Sequence, residues 1–583
     1  MKKLTFLLLF LLGSLFCFAQ NKGGENNLNN QPKLNKTSAP SMKDVVEDWE
    51  RPQGKLNAAR KNSKVTIDPI MKAKVREYAP FTLYADLGHL TEGEKKLVPI
   101  FIKIAEIMDR LFWKQTFGDY QQLLKIEDPA ARQFVAIQYG PWDRLDDNKP
   151  FLKNYGPKPL GCQYYPQDMT AEEFAEFRDP NKNSLYTVIR RDENGKLKSV
   201  WYHEEYKKEI SQVCHLLDEA IMIADNKEMK KYLIERKKAF ETDDYFASDM
   251  AWMDMKTSNI DFVVGPIENY DDKLNEAKAS YEAFVLVKDV ERSKELAKFV
   301  KMLPEIQKQL PCDPKYKTFV PGTSSDLNVY NAIYYAGDCN AGSKTIAINL
   351  PNDDRVQAKK GARRLQLRNS MQAKFDKILM PIGRELIYAP QQEYLKFDAF
   401  FWNVTFHEVA HGLGVKKTVN GKGSVDDAMK TEKTSWEEAK ADILGLFIVC
   451  YLIDKKEITN ITKEEAIATY IAGIFRSVRF GAASSHGKAN MMCFNYLQEQ
   501  GAFKRYDVGM YKIDFEKAEK AIASWASIIL KYQATGDFEA ASAFRAKYGV
   551  IMPDLQNDLD KINKMGIPRD IRFKQGLNVL NLK

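Results

Sequence analysis

Phe406-His407-Glu408-Val409-Ala410-His411-Gly412 is the stretch of this 583-residue chain on which the reading of its fold turns. On a helix, residues four apart differ by about 40° in direction, so His407 and His411 leave one face a turn apart. Two neutral imidazoles at that spacing can ligate a single zinc ion. Glu408 is rotated by about 100° from His407, outside their coordination but within reach of a water molecule that the ion activates. Residues 399–406 supply the apolar body of a helix, and Gly412 and Gly414 supply a stop. Histidine is scarce, with six in all at His89, His203, His215, His407, His411 and His486. Roughly 0.004 chance matches to H-E-x-x-H are expected at this length, so the zinc reading outweighs that of two core histidines beside a surface glutamate.

A catalytic zinc usually takes three protein ligands and keeps a fourth position open. The third is expected from the next helix, opened by Ser435-Trp436-Glu437-Glu438-Ala439-Lys440-Ala441-Asp442. Thr434-x-x-Glu437 and Ser435-x-x-Glu438 both have the form of a capping box, in which the acid only closes a helix end. If Thr434 caps and Glu437 is its partner, Glu438 faces elsewhere and is free to be the ligand. Glu438, Ala441, Asp442 and Gly445 then form one face of two acids and two small residues, with room for a neighbouring helix and an ion. Asp442, one turn after Glu438, is placed to accept the free N–H of a ligating histidine.

Outward from the motif, residues 363 to about 533 read as mostly helical. Upstream, residues 94–125 and 204–242 carry helical spacing. Residues 185–202 read as two strands around Asn194-Gly195, the dipeptide of a type I′ turn. Further strands are expected at residues 261–264, 283–287, 328–335 and 345–350, where β-branched and aromatic side chains cluster. The expectation is an α+β protein of two lobes separated by a cleft.

With 44% hydrophobic and 28% charged residues the chain is of ordinary globular composition, not disordered or fibrous. Its net charge of +8 is spread along the chain, which gives no reason to expect a nucleic-acid partner. Residues 1–19 have a basic start at Lys2 and Lys3, an apolar run too short to span a bilayer, and a small residue at Ala19. They read as a signal peptide cleaved before Gln20, which implies a periplasmic or secreted protein. Lipid attachment at Cys17 is disfavoured by the bulky Phe16. Residues 20–45 are Asn-rich and read as a flexible linker. The six remaining cysteines lack any C-x-x-C spacing; one or two disulfides are allowed for, and most are expected to be plain core residues. The apolar run at 443–453 is too short for a transmembrane segment.

Taken together, these segments resemble the dipeptidyl-peptidase III family of zinc aminopeptidases over about residues 142–500. Thr242-Asp243-Asp244-Tyr245, Ser248-Asp249-Met250-Ala251-Trp252-Met253-Asp254, Gly265-Pro266-Ile267-Glu268-Asn269-Tyr270, Ile348-Asn349-Leu350-Pro351-Asn352, the histidine motif, Glu437 to Asp442, and Ser485-His486-Gly487 carry the resemblance in order. It implies a mostly helical zinc-binding lobe, from 289–332 with 379–560. It also implies a mixed lobe with a β-barrel-like core, from 46–288 with 333–378 and the C-terminal tail. Position by position, His407, His411 and Glu438 match the ligands of one zinc ion, with Glu437 and Asp442 supporting them. Glu408 matches the general base, and His486 and Tyr270 match the pair that stabilises the oxyanion. Glu268, Asn349 and Asn352 match the clamp on the substrate's free N-terminus.

Two positions depart from the family. Its common motif has one more residue before the second histidine, whereas this chain has the five-residue form. An arginine often found four residues after the equivalent of His486 is Asn490 here. The expected reaction is hydrolysis of short peptides near a free N-terminus, releasing dipeptides. The alternatives are a single-residue aminopeptidase or endopeptidase on the same zinc site, or an exported peptide-binding protein with a structural zinc.

Overall fold

A computed structural model describes residues 67–321, 326–506 and 508–582. The signal peptide and linker expected over residues 1–19 and 20–45 lie outside the described residues. After a short helix at Pro69–Arg76 come strand β1 (Tyr78–Thr82) and the long helix α1 (Glu92–Thr116), whose first turn is closed by a Thr91/Glu94 capping box. A hairpin follows, β2 (Thr187–Arg191) and β3 (Leu197–Trp201), then helices α2 (Lys207–Ile223) and α3 (Lys227–Thr242). The hairpin turn is not type I′. Only Gly195 takes a positive φ, and Asp192 Oδ1 accepts from the backbone of both Asn194 and Lys196, which makes a three-residue loop closed by a left-handed glycine.

Strands β4 (Ile260–Glu268) and β5 (Ser280–Lys288) are nearly continuous apolar runs, as strands covered on both faces require. After helix α4 (Val290–Gln309) come β6 (Asp326–Gly337), β7 (Ala347–Leu350) and β8 (Arg363–Leu367). These strands form a five-stranded half-barrel in the order β4-β5-β6-β8-β7, with β6/β8 parallel and the other neighbours antiparallel. Strand β8 corrects the expectation that helix dominates from residue 363 onward. Its alternation of polar Arg364 and Gln366 with Leu365 and Leu367 was readable, but two charged residues at its head masked it.

The rest is mostly helical: α5 (Phe397–His411), α6 (Lys433–Asp454), α7 (Lys463–Val478), α8 (Ser485–Glu499) and α9 (Phe515–Thr535), with a small antiparallel pair at Phe503–Arg505 and Tyr511–Ile513, before strand β9 (Asp570–Lys574) pairs in parallel with β1. Two large buried clusters give the two lobes of this α+β fold. One gathers α4 to α9, and the other gathers α1 to α3 with the half-barrel. The sheet is shared between them. Leu365, Leu367, Ile348 and Leu350 enter the mixed core, while Leu327, Val329 and Ala347 pack into the helical one. Arg364 and Gln366 are cross-strand partners of Leu327 and Val329, so they face the helical lobe, as does Asn349, the partner of Arg364 in β7. The six described cysteines are all free thiols. No helix among the described residues is long and apolar enough to cross a membrane.

Candidate metal centre

Helix α5 packs against α6 at Gly445, where a Cβ would sit 2.8 Å from the backbone nitrogen of His407. With no side chain at that point, α6 comes close enough for the acids on the same face to reach the histidines. Nε2 of His407 and His411 are 3.2 Å apart, and Glu438 Oε2 lies 3.5 Å from the first and 3.9 Å from the second. A tetrahedral ion with bonds of ~2.0–2.1 Å has ligand-to-ligand edges of about 3.3 Å, so three corners are in place. Among the described residues this is the single group of three or more such donors gathered around one point.

The donor set fits a metal cation on further grounds. Each imidazole is tied at its back nitrogen: His407 Nδ1 is 2.7 Å from Asp442 Oδ1, and His411 Nδ1 is 3.0 Å from Glu437 Oε1. Both Nε2 atoms are thereby left as electron-pair donors towards the gap. Glu438 Oε2 is buried without an aligned hydrogen bond, although Nδ1 of His486 is 2.9 Å away. Burial opposes a charge on His407, yet Asp442, Glu408 and Glu438 hold its pKa up at about 9. The field that favours a proton there favours a metal cation equally.

The acids at the head of α6 do not act as caps. The helix begins at Lys433, so Thr434 and Ser435 lie inside it, and its N-cap residue Glu432 makes no side-chain capping bond. Glu437 instead accepts from Lys440, whose ammonium is fully buried and also donates to Leu413 O. Despite burial, Lys440, His411 and Lys416 draw the Glu437 carboxyl down to about 2. Asn490 occupies the space expected for an arginine and donates to Asp442 Oδ2 at 3.1 Å, extending the support behind His407. Neither Lys440 nor Asn490 was expected to support the histidine group, Asn490 having stood out only as a departure from the family. Lys440 had a signal, its i,i+3 spacing from Glu437, whereas Asn490 is joined to Asp442 only by the packing of α8 on α6.

His486 is the second residue of its α8 turn and 63% exposed, and the Glu438 carboxylate raises its pKa. Glu408 is part-buried one position after His407. The remaining candidates gather on the sheet. Glu268 ends β4, where burial raises its carboxyl and the Asn352 and Tyr270 side chains counteract this. Tyr270 follows on a turn, 67% exposed, with the Glu268 charge raising its phenol. Asn352 Nδ2 donates to Ile267 O at 3.3 Å, and Asn349 is exposed on the edge strand β7. No hydrogen bond or ion pair among the described residues joins this set to the histidine group. The two approach through Arg364, on whose guanidinium Glu408 exerts its charge.

A sequence profile described as Peptidase family M49 matches residues 181–441. Nudix hydrolase 3 of Arabidopsis thaliana is 30% identical over 568 residues, covering 86% of this chain and 73% of that protein. The structure of dipeptidyl-peptidase III from Caldithrix abyssi superposes with a TM-score of 0.84 at 37% identity, covering 87% of this chain and 99% of that one. That of the dipeptidyl-peptidase III from Corallococcus sp. strain EGB gives 0.74 at 34% identity, over 87% and 98%. Two lobes, a His-His-Glu group on paired helices and these likenesses converge on one conclusion: the chain belongs to peptidase family M49, the dipeptidyl-peptidase III family, and is a metallopeptidase.

Proposed function

We propose that this peptidase is zinc-dependent, acts on short peptides near a free N-terminus and releases dipeptides. His407, His411 and Glu438 would hold one zinc ion. The observation that carries the reading is the three-donor group whose two imidazoles are both tied from behind. When bound, the ion supplies Lewis acidity that polarises a peptide carbonyl and makes water nucleophilic near neutral pH.

The chain's own residues do the rest. Glu408 takes the proton of the attacking water and delivers it to the leaving amine. Tyr270, whose phenol the Glu268 charge raises further above its ordinary range, is protonated at neutral pH and donates to the developing oxyanion together with His486. Glu268 offers a carboxylate, and Asn349 and Asn352 offer amide oxygens, to the substrate's terminal ammonium. A clamp at a fixed distance from the ligands selects one peptide bond, the second.

Glu408→Gln is expected to retain zinc, read by elemental analysis, and to lose about 10²-fold or more in kcat. Full activity in that variant would remove the base assignment. Mass spectrometry should find dipeptides released from an unblocked peptide and none from its N-acetylated copy. Single amino acids or internal fragments would replace the reading by an aminopeptidase or an endopeptidase. Export by residues 1–19 belongs to the same proposal. A mature chain beginning at Gln20 supports it, and an intact Met1 in the processed protein dismisses it.

A further inference from the structure

Granted the dipeptide-releasing reading above, a pair of part-buried arginines bears on the far end of the substrate. Arg368 follows β8 directly, and its guanidinium lies 5.3 Å from the ring of Phe397 at the start of α5. Arg476, from α7, places its guanidinium 5.8 Å from the ring of Phe400. Both rings flank Phe375, at 5.9 and 6.0 Å. The Nε of each arginine is buried without a hydrogen-bond partner, and the Asp570 and Asp442 charges act on Arg476 only from beyond hydrogen-bonding distance. Gln366, two residues before Arg368 on the face turned to the helices, is fully buried with both ends of its amide unpartnered. Buried donors left open in this way mark a place where acceptors arrive from outside.

Their position along α5 decides which acceptors. Phe397, Phe400, His407 and His411 share one helix face. At 1.5 Å per residue, Phe400 lies about 10 Å and Phe397 about 15 Å from His407 along the axis. At the opposite end Arg364 lies beside Gly412, its Nη2 3.5 Å from where a Cβ would be, and its cross-strand partner is Asn349 of the amine clamp. The order along the helix is therefore clamp, metal ligands, arginines. An extended peptide advances ~3.3 Å per residue, so the two arginines lie about three to four residues beyond the metal ligands.

We propose that Arg368 and Arg476 form a seat for a carboxylate at the substrate's C-terminal end. Two residues lie between the clamp and the cleaved bond, so the seat measures peptides of about five or six residues. Two guanidinium groups among aromatic rings favour a planar anion, and the terminal carboxylate is one that every peptide carries, at a distance from its N-terminus set by its length.

The test compares kcat/KM for four- to eight-residue peptides of one N-terminal sequence, each as the free acid and as the C-terminal amide. The free acids of five and six residues are expected to be best, and amidation to cost them about tenfold or more, chiefly in KM. Arg368→Gln and Arg476→Gln are expected to bring the acid down to the rate of the amide, and Arg→Lys to restore part of the difference. Should either glutamine variant misfold, calorimetric binding of the two peptide forms to Glu408→Gln reads the same preference without turnover. Acid and amide cleaved or bound equally at every length would overturn the seat while leaving dipeptide release intact. An amide rescued by glutamate at its fifth position would assign the seat to an acidic side chain and overturn the terminal assignment. Failure of dipeptide release itself would appear as altered products for both forms alike.

Discussion

His407 shows how much of the proposed metal centre is held by groups outside the three-donor set. Its Nδ1 leans on Asp442, and Asp442 is held by Asn490. Asp442→Asn keeps the shape but replaces a charged acceptor with a neutral amide, so zinc affinity is expected to fall about 10- to 100-fold. Competition against a chromophoric chelator measures this, and an unchanged affinity would remove Asp442 from the centre. Asp271, next to Tyr270, is a second residue-scale case. Burial alone would raise its carboxyl, but Arg144 and Lys158 overcome this and hold it well below the usual carboxylate range. A depressed folded-state pKa adds stability that is fully present above ~4, the unfolded value, and is lost as pH falls below it. The stability difference between the wild type and Asp271→Asn is therefore expected to shrink as pH falls below about 4. Denaturant titrations at several pH values read it.

At the scale of elements, the approach of α5 to α6 depends on the absence of one side chain. Gly445→Ala places a methyl group 2.8 Å from His407 N and 3.0 Å from the carbonyl carbon of Phe406, all backbone that cannot rotate aside. The helices must separate, at a cost of about 1–3 kcal/mol, and Glu438 moves away from the histidines with them. A lower Tm together with weakened zinc binding is the expected result. A loss of Tm with zinc affinity intact would show that the ligand geometry does not depend on this contact. The head of α6 shows why local motifs misled. Thr434, Ser435, Glu437 and Glu438 spell two capping boxes, but buried Lys440 and His411 compete for Glu437 and win. A capping bond is worth about 1 kcal/mol, less than the cost of leaving a buried ammonium unpaired.

Across the whole molecule, the C-terminal segment joins the two lobes. Ile567 is buried in the helical core, Leu580 in the mixed core, and between them Ile571 packs with Ala79 and Ala373. Asp570, at the start of β9, accepts from Ser343 Oγ at 2.7 Å and from the buried ammonium of Lys374 at 3.1 Å. Asp570→Asn leaves that ammonium without its counter-charge and is expected to destabilise the protein by about 3–5 kcal/mol. Chemical denaturation followed by tryptophan fluorescence measures it, and a change below 1 kcal/mol would show that the strap does not depend on this pair.

The amino-acid sequence by itself determined the histidine pair, its glutamate and the remote acid on the next helix. Helical periodicity is local, and 100° per residue places His407 and His411 together wherever the helix goes. The strong apolar runs of β4, β5 and β6 were legible for the same reason. Only the tertiary structure decided that Glu437 is tied to Lys440 and His411 instead of capping its helix, that Asn490 stands behind Asp442, and that β8 joins the sheet shared by the two lobes. Those outcomes depend on which buried charges meet, and partners that lie 26 to 48 residues apart, such as His411 with Glu437 and Asp442 with Asn490, are brought together by packing and not by spacing along the chain.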